Sequence, residues 1–459
     1  MKLHSNFAIL LVATAMMACN SPKDRVEVWV SKADSTILLE QQPGINFSNN
    51  QIGEVIEVDT NQMCQMINGV GAALTWSSAY VFKNYLTPET RLQLFRELFT
   101  PEGIGINVVR LTIGSSDFSR GNHSYSETPD TSLSNFTLAM DMDEVVPMMK
   151  EILAVNPNIT IIASPWSPPA WMKSSNSMVG GNLLKQHYGA YANYLVKYIK
   201  AMQEQGIPIY GITVQNEPEF GTATYPCMLM SAQEQNEFIR YYLGPRMAQN
   251  GLTTRIILFD HNCDSPQYPI SILNDSITRK YVDGSGFHLY KGEIEALCTV
   301  HEAHPDKNIY FTEQSGGGWA PNFGDNLLWY SETLMVKAMR CWSKTVLLWN
   351  LALDENDGPK NNGCSNCWGV VQVPSNGAVK RNAEYYALGH FGKFVLPNAT
   401  RLVSTMQKVS NVAFLNPDGS KVLIAVNTSG QPVAFTVKCG GRQFIYQMGG
   451  REVVTFRWK

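Results

Sequence analysis

Charge is scarce in this chain. Asp, Glu, Lys and Arg make up only 16% of 459 residues and leave a formal net charge of −3, with no long basic run. Nucleic acids and anionic membranes are held by clustered positive charge, so neither is expected as a partner. Long apolar runs are missing as well. Residues 7–18 follow Lys2 and are apolar, but they are too short to span a bilayer well. They resemble an export signal that is removed before folding. No internal repeat or low-complexity stretch is present. Cysteine is modest: Cys19 and eight others. Cys364-x-x-Cys367 has no second matching pair, so a zinc site is not expected there. A local disulfide or two free thiols is the alternative.

What is present points to a large enzyme-like core. Aromatics reach 10%, with 10 Trp and 19 Tyr, which suits a cleft that stacks on sugar rings and equally suits an ordinary large core. The organising stretch is residues 206–220, GIPIYGITVQNEPEF. A short run of branched apolar residues reads as a buried strand, and its end flips to Gln215-Asn216-Glu217-Pro218-Glu219. Pro218 cannot donate to a ladder and stops the strand. Residues 308–318 repeat the layout, with Glu313 at the strand end.

Eight candidate strands fall at 67–74, 106–113, 159–164, 209–214, 255–259, 286–290, 308–312 and 345–351. Helical patterns separate them at 88–98, 143–155, 187–205, 232–249, 294–301 and 325–344. This alternation predicts a (β/α)8 barrel rather than a doubly wound sheet, because no Gly-x-Gly-x-x-Gly turn follows any strand. Alternating segments at 26–30, 35–39 and 55–58, and six more after residue 394, predict a side β-sandwich built from both chain ends. The expected division is 1–18 export signal, 19–24 tether, 25–60 sandwich, 61–394 barrel and 395–459 sandwich.

In such a barrel the site forms at the carboxyl ends of the strands. Those ends carry Thr75-Trp76, Arg110 and Asp117, Trp166, Asn216-Glu217, Asp260-His261, His288 and Tyr290, Glu313, and Trp349-Asn350. The set contains no histidine pair at metal-ligand spacing, no serine elbow and no phosphate loop. It contains two carboxylates on strands four and seven, which face each other across a barrel mouth. One would donate a proton to a leaving oxygen and the other would attack the anomeric carbon or activate water. Arg110 would hold the attacking carboxylate charged. Asp260 and His261 are read only as wall residues.

These stretches resemble glycoside hydrolase family 30, the glucosylceramidase-like retaining β-glycosidases. The likeness runs through Gly69-Val70-Gly71, Asn107-Val108-Val109-Arg110, Ser164-Pro165-Trp166-Ser167-Pro168-Pro169, Asn216-Glu217-Pro218, His288-Leu289-Tyr290, Phe311-Thr312-Glu313, Trp349-Asn350 and Gly389-His390-Phe391. The resemblance implies Glu217 as acid/base, Glu313 as nucleophile and a sugar subsite of Asp117, Trp166, Asn216, His288, Tyr290 and Trp349. It implies no metal or organic cofactor. The substrate it implies is a β-glucan or β-glucoside, and the chain looks most like the endo-β-1,6-glucanase branch. An exo-acting β-glucosidase, glucosylceramidase or β-xylosidase is the alternative, and a glycan-binding lipoprotein without catalysis is the option from another class. Ala18-Cys19 resembles a lipobox, although Met16 replaces its usual leucine. An exported bacterial protein of the periplasm or cell surface, anchored by lipid at Cys19, is expected.

Overall fold

A computed structural model of the chain describes residues 25–459. The export segment, tether and Cys19 lie outside those residues. Eight parallel strands close into a barrel: Gly69–Ala73, Val108–Ile113, Thr160–Pro165, Gly211–Thr213, Arg255–Asn262, Val282–His288, Asn308–Glu313 and Ser343–Leu348. The eighth pairs with the first at Val346↔Val70. Strands buried on both faces need continuous apolar runs, and every residue of Val108–Ile113 is buried. Val108, Ile162, Ile257, Tyr310 and Leu347 form one packed cluster apart from the main core. One on each of five barrel strands, they are the layer that fills the barrel.

Side chains alternate along a strand. Two residues beyond that layer come Arg110, Ser164, Thr312 and Trp349, the next inward-facing positions. The fifth strand departs from this count. Its pairing with the sixth shifts register between Phe259 and His261. Phe259 and Asp260 both adopt left-handed backbone, φ 73° and 61°. This bulge puts Asp260 inward where a regular strand would put Phe259, and Phe259 packs in the outer core instead.

The second domain is one nine-stranded sheet made of three strands before the barrel and six after it. It folds over on itself. Phe444 and Tyr446, from an edge strand, meet Phe456 at 5.3 and 5.0 Å, and Phe435 meets it at 6.1 Å. The strand Lys421–Asn427 has both faces covered. Leu423 and Ala425 lie in the sandwich core, whereas Val422, Ile424 and Val426 join the barrel's core.

His390 fastens the two domains. It lies on the helix Ala383–Gly392 and is fully buried. The Thr455 hydroxyl donates to the His390 carbonyl at 2.9 Å, so its oxygen accepts from Nδ1 at 2.9 Å. Nε2 then accepts from the Ser31 hydroxyl at 2.8 Å. That network selects the neutral ring. Burial lowers the imidazole to about 3. Between roughly pH 6.5 and 3 the unfolded chain therefore binds a proton that the folded one refuses, and stability falls as pH falls through that window. The loss reaches on the order of 5 kcal/mol at the acid end. Denaturant unfolding at pH 7, 5 and 4 should show this slope, and His390→Gln should flatten it.

Local differences from the sequence reading have physical causes. Residues 35–39 form turns, and the strand is Glu40–Asn46, with Pro43 tolerated because this strand is at the sheet edge. A helix at Trp76–Tyr85 precedes the first expected one. Its helical period is weak, but the Thr75 hydroxyl caps it by accepting from the Ser78 amide.

Candidate active site

Arg110 stands at the centre of the barrel mouth with almost no exposure. A buried guanidinium needs partners for its charge. It donates to Glu313 Oε2, to Asn216 Oδ1 at 2.9 Å and to Asp260 Oδ2 at 2.8 Å. Trp166 and Trp349 stack on each other at 5.0 Å, and the guanidinium lies 5.0 and 5.8 Å from their rings.

Asp260 is the hub behind this array. Ser164, Thr213 and Thr312 donate hydroxyls to it at 2.6, 2.7 and 2.6 Å, and His288 Nε2 lies 3.0 Å away. Burial opposes its charge, but Arg110, His288 and Ser164 outweigh burial and hold the carboxyl well below the usual range. Its carbonyl also accepts from the Glu217 amide at 3.0 Å. Asp260→Asn removes one of the two charges that neutralise buried Arg110. The expected cost is about 3–5 kcal/mol, read as a lowered thermal unfolding midpoint together with lost activity.

His288 connects the two glutamates. Its Nδ1 lies 3.1 Å from Glu217 Oε1 and 3.8 Å from Glu313 Oε1. Burial disfavours the imidazolium, but Glu313, Asp260 and Glu217 raise it to about 9. For Glu217, burial is outweighed by His288, and the carboxyl is lowered. For Glu313, burial prevails over His288 and Arg110, and the carboxyl is raised. The Tyr290 hydroxyl donates to Glu313 Oε1 at 3.0 Å. Glu217 sits on left-handed backbone, φ 47°, a strained placement of the kind that occurs at functional sites.

Above these groups opens a cavity of about 900 Å³. Asp117, Trp166, Asn216, Glu217, Tyr290, Glu313 and Trp349 line it. His288 and Arg110 do not; they sit behind the glutamates. The Asp117 Oδ1 is buried without a hydrogen-bond partner. Burial and the nearby Glu313 push its carboxyl well up, and it borders the cavity within reach of a sugar hydroxyl. Trp76 takes no part: its indole donates to Glu144 at 3.0 Å.

Other walls were not legible in the sequence. Phe220 and Tyr225 stack at 6.4 Å on one side. A loop carrying the Cys364–Cys367 disulfide lines the cavity as well, and Cys364 and Tyr225 pack against the same cluster around Trp166 and Trp349. This loop is pinned by the Asn361 amide on the Asp117 carbonyl at 2.7 Å and by pairing of Cys367-Trp368 with Gly316-Gly317. A Cβ at Gly363 would lie 2.7 Å from Asp117, so the loop approaches this closely only with glycine. The CxxC spacing marked the bridge but not its place on the wall.

A parallel barrel with two carboxylates, an arginine and stacked tryptophans at its carboxyl end belongs to the glycoside-cleaving enzymes. Comparison with known families makes the class specific. Residues 67–395 match the glycosyl hydrolase family 30 TIM-barrel domain, and 398–456 match that family's β-sandwich domain. The chain belongs to glycosyl hydrolase family 30 and is a glycosidase. It is 33% identical over 405 residues to the endo-1,6-beta-D-glucanase of Aspergillus fumigatus, covering 81% of this chain and 80% of that one. It is 29% identical over 439 residues to the mouse lysosomal acid glucosylceramidase, covering 89% and 84%. A solved endo-β1,6-glucanase superposes with a TM-score of 0.90 at 33% identity, covering 95% of this chain and 99% of that one.

Proposed function

We propose that the chain is a retaining endo-β-1,6-glucanase in which Glu313 is the nucleophile and Glu217 the acid/base. The observation that carries the assignment is the asymmetry around the two carboxylates. Arg110 and Tyr290 donate to opposite oxygens of Glu313. These fixed donors suit a carboxylate that must stay ionised and aimed. Glu217 is bonded to a group that can hand it a proton. Glu313 attacks the anomeric carbon as the glycosidic C–O bond breaks and Glu217 protonates the leaving oxygen. Glu217 then takes a proton from water, which attacks the same carbon and releases Glu313. Two inversions retain the β configuration.

The free protein holds its shared proton on His288, and the reaction needs it on Glu217. Transfer along the 3.1 Å hydrogen bond leaves a neutral acid and a neutral imidazole. A sugar ring in the cavity removes water from Glu217 and favours that neutral form. Arg110 and the Tyr290 hydroxyl keep their hold on Glu313 through this transfer and stabilise the nucleophile as a carboxylate while the acid is loaded.

The cavity lies at the upper end of ligand pockets of roughly 300–1,000 Å³. That supports a chain of sugars over a single glucose, as do the glucanase relatives. Proton NMR of fresh product from linear β-1,6-glucan is the test. Short oligosaccharides appearing first as β-anomers are expected. Glucose alone would move the reading to an exo-β-glucosidase, and α-anomers first would overturn retention. Export and a Cys19 anchor belong to the same proposal, and the disulfides Cys298–Cys341 and Cys364–Cys367 support an oxidising compartment. Failure of Cys19 to take up labelled palmitate in cells would exclude the anchor.

A further inference from the structure

We propose that Glu217, His261 and His288 form a binding site for a divalent transition-metal ion such as Zn²⁺, and that the bound ion reversibly blocks hydrolysis. The blocking half rests on the assignment of Glu217 as acid/base; the binding half does not. One ligand atom from each residue lies within 4.8 Å of the other two. Glu217 Oε1 stands 3.1 Å from His288 Nδ1 and 3.8 Å from His261 Nδ1. A tetrahedral ion with bonds of about 2.0–2.1 Å sets neighbouring ligand atoms roughly 3.3–3.4 Å apart. The two imidazole nitrogens lie within 4.8 Å of each other, so shifts of up to about 1.4 Å close the set.

Three further observations point to a cation. First, His261 is 6% exposed, and its Nδ1 has no hydrogen-bond partner. A buried imidazole nitrogen aimed at a carboxylate beyond hydrogen-bond reach is an unused ligand. Second, His288 turns its other nitrogen to Asp260 Oδ1 at 3.0 Å. Carboxylate–histidine support of this kind fixes the ring of a metal-bound histidine. Third, Arg110 is already paired with Asp260 and Glu313, so the Glu217 carboxylate has no guanidinium of its own and is open to a cation. Two imidazoles and one carboxylate select zinc or copper over magnesium or calcium. Glu217 and His261 both border the cavity, so a water molecule can complete the tetrahedron. The ion would displace the proton of His288 Nδ1 to bulk water and take the Glu217 oxygen that it bridged to, and Glu217 could then neither protonate a leaving oxygen nor activate water.

The test uses the purified full chain, stripped by chelator and titrated with Zn²⁺ by calorimetry and with Co²⁺ by visible absorption. One ion per chain is expected, with the d–d bands of a tetrahedral Co²⁺ ion. X-ray absorption at the zinc edge should show only nitrogen and oxygen neighbours, including two imidazoles. Hydrolysis should fall in step with occupancy and return when chelator is added. His261→Phe should weaken binding by more than about a hundredfold, beyond the 10–100-fold cost of losing a supporting partner. His261→Asn serves in its place if that variant does not fold. Sulfur ligation, no stoichiometric binding, or wild-type affinity in the folded His261 variant would overturn the site. Full occupancy with undiminished hydrolysis would overturn the blocking role. If the chain hydrolysed no β-glucan at all, the functional reading would fail, while calorimetry and spectra would still decide the metal site.

Discussion

Glu313→Gly is expected to lower kcat on an aryl β-glucoside by on the order of 10⁴-fold or more, the scale of removing a nucleophile from a covalent mechanism. Added azide should then restore turnover. The anion enters the space left by the side chain, attacks the anomeric carbon from that face, and the aryl oxide departs with its bonding electrons. The product is the α-glucosyl azide. Arg110 would remain beneath the vacancy, still paired with Asp260, and its charge would help to hold the anion. Glucosyl azide of β configuration, or activity that survives the substitution, would remove Glu313 from the nucleophile's role.

Glu217→Gly should produce the second large effect, in a different pattern. On β-glucan, where the leaving oxygen must be protonated, the loss should be about 10²–10⁴-fold, the usual worth of a positioned proton donor. On a dinitrophenyl glucoside the first step needs no acid, so a burst of phenolate should precede slow turnover of the glucosyl–Glu313 ester. Azide should attack that ester and give the β-glucosyl azide. The two azide products therefore identify the two glutamates by opposite stereochemistry. A proportionate loss on both substrates, without a burst, would instead assign Glu217 a structural role.

Both glutamates were legible because each ends an apolar strand with an abrupt change of polarity, and a barrel aligns such ends on one face. Trp166, Asn216, Tyr290 and Trp349 followed from the same rule, and all line the cavity. Asp260 did not. A two-residue period directs Phe259 inward, and only the bulge reverses the pair. No feature of Phe-Asp-His announces a bulge, since its left-handed residues are not glycine or asparagine. His261 was undervalued for the same reason. The disulfide-bearing wall was hidden differently: residues 354–368 reach the cavity through contacts with Asp117 and Gly317, which are distant in sequence. The sandwich strands were read as alternating, but residues 422–426 are Val-Leu-Ile-Ala-Val, a continuous apolar run of the kind that belongs to a strand covered on both faces.

That double covering bears on how such a protein can be divided. Val422, Ile424 and Val426 face the barrel, and His390 reaches from the barrel's last helix to strands from both chain ends. A barrel cut at residue 395 would expose an apolar face and leave a buried imidazole half-solvated. The sandwich alone would expose the complementary face. The smallest piece that can be inherited, transplanted or recombined is then the whole chain from residue 25 onward, and the sandwich is not an appended carbohydrate-binding module that could be exchanged for another.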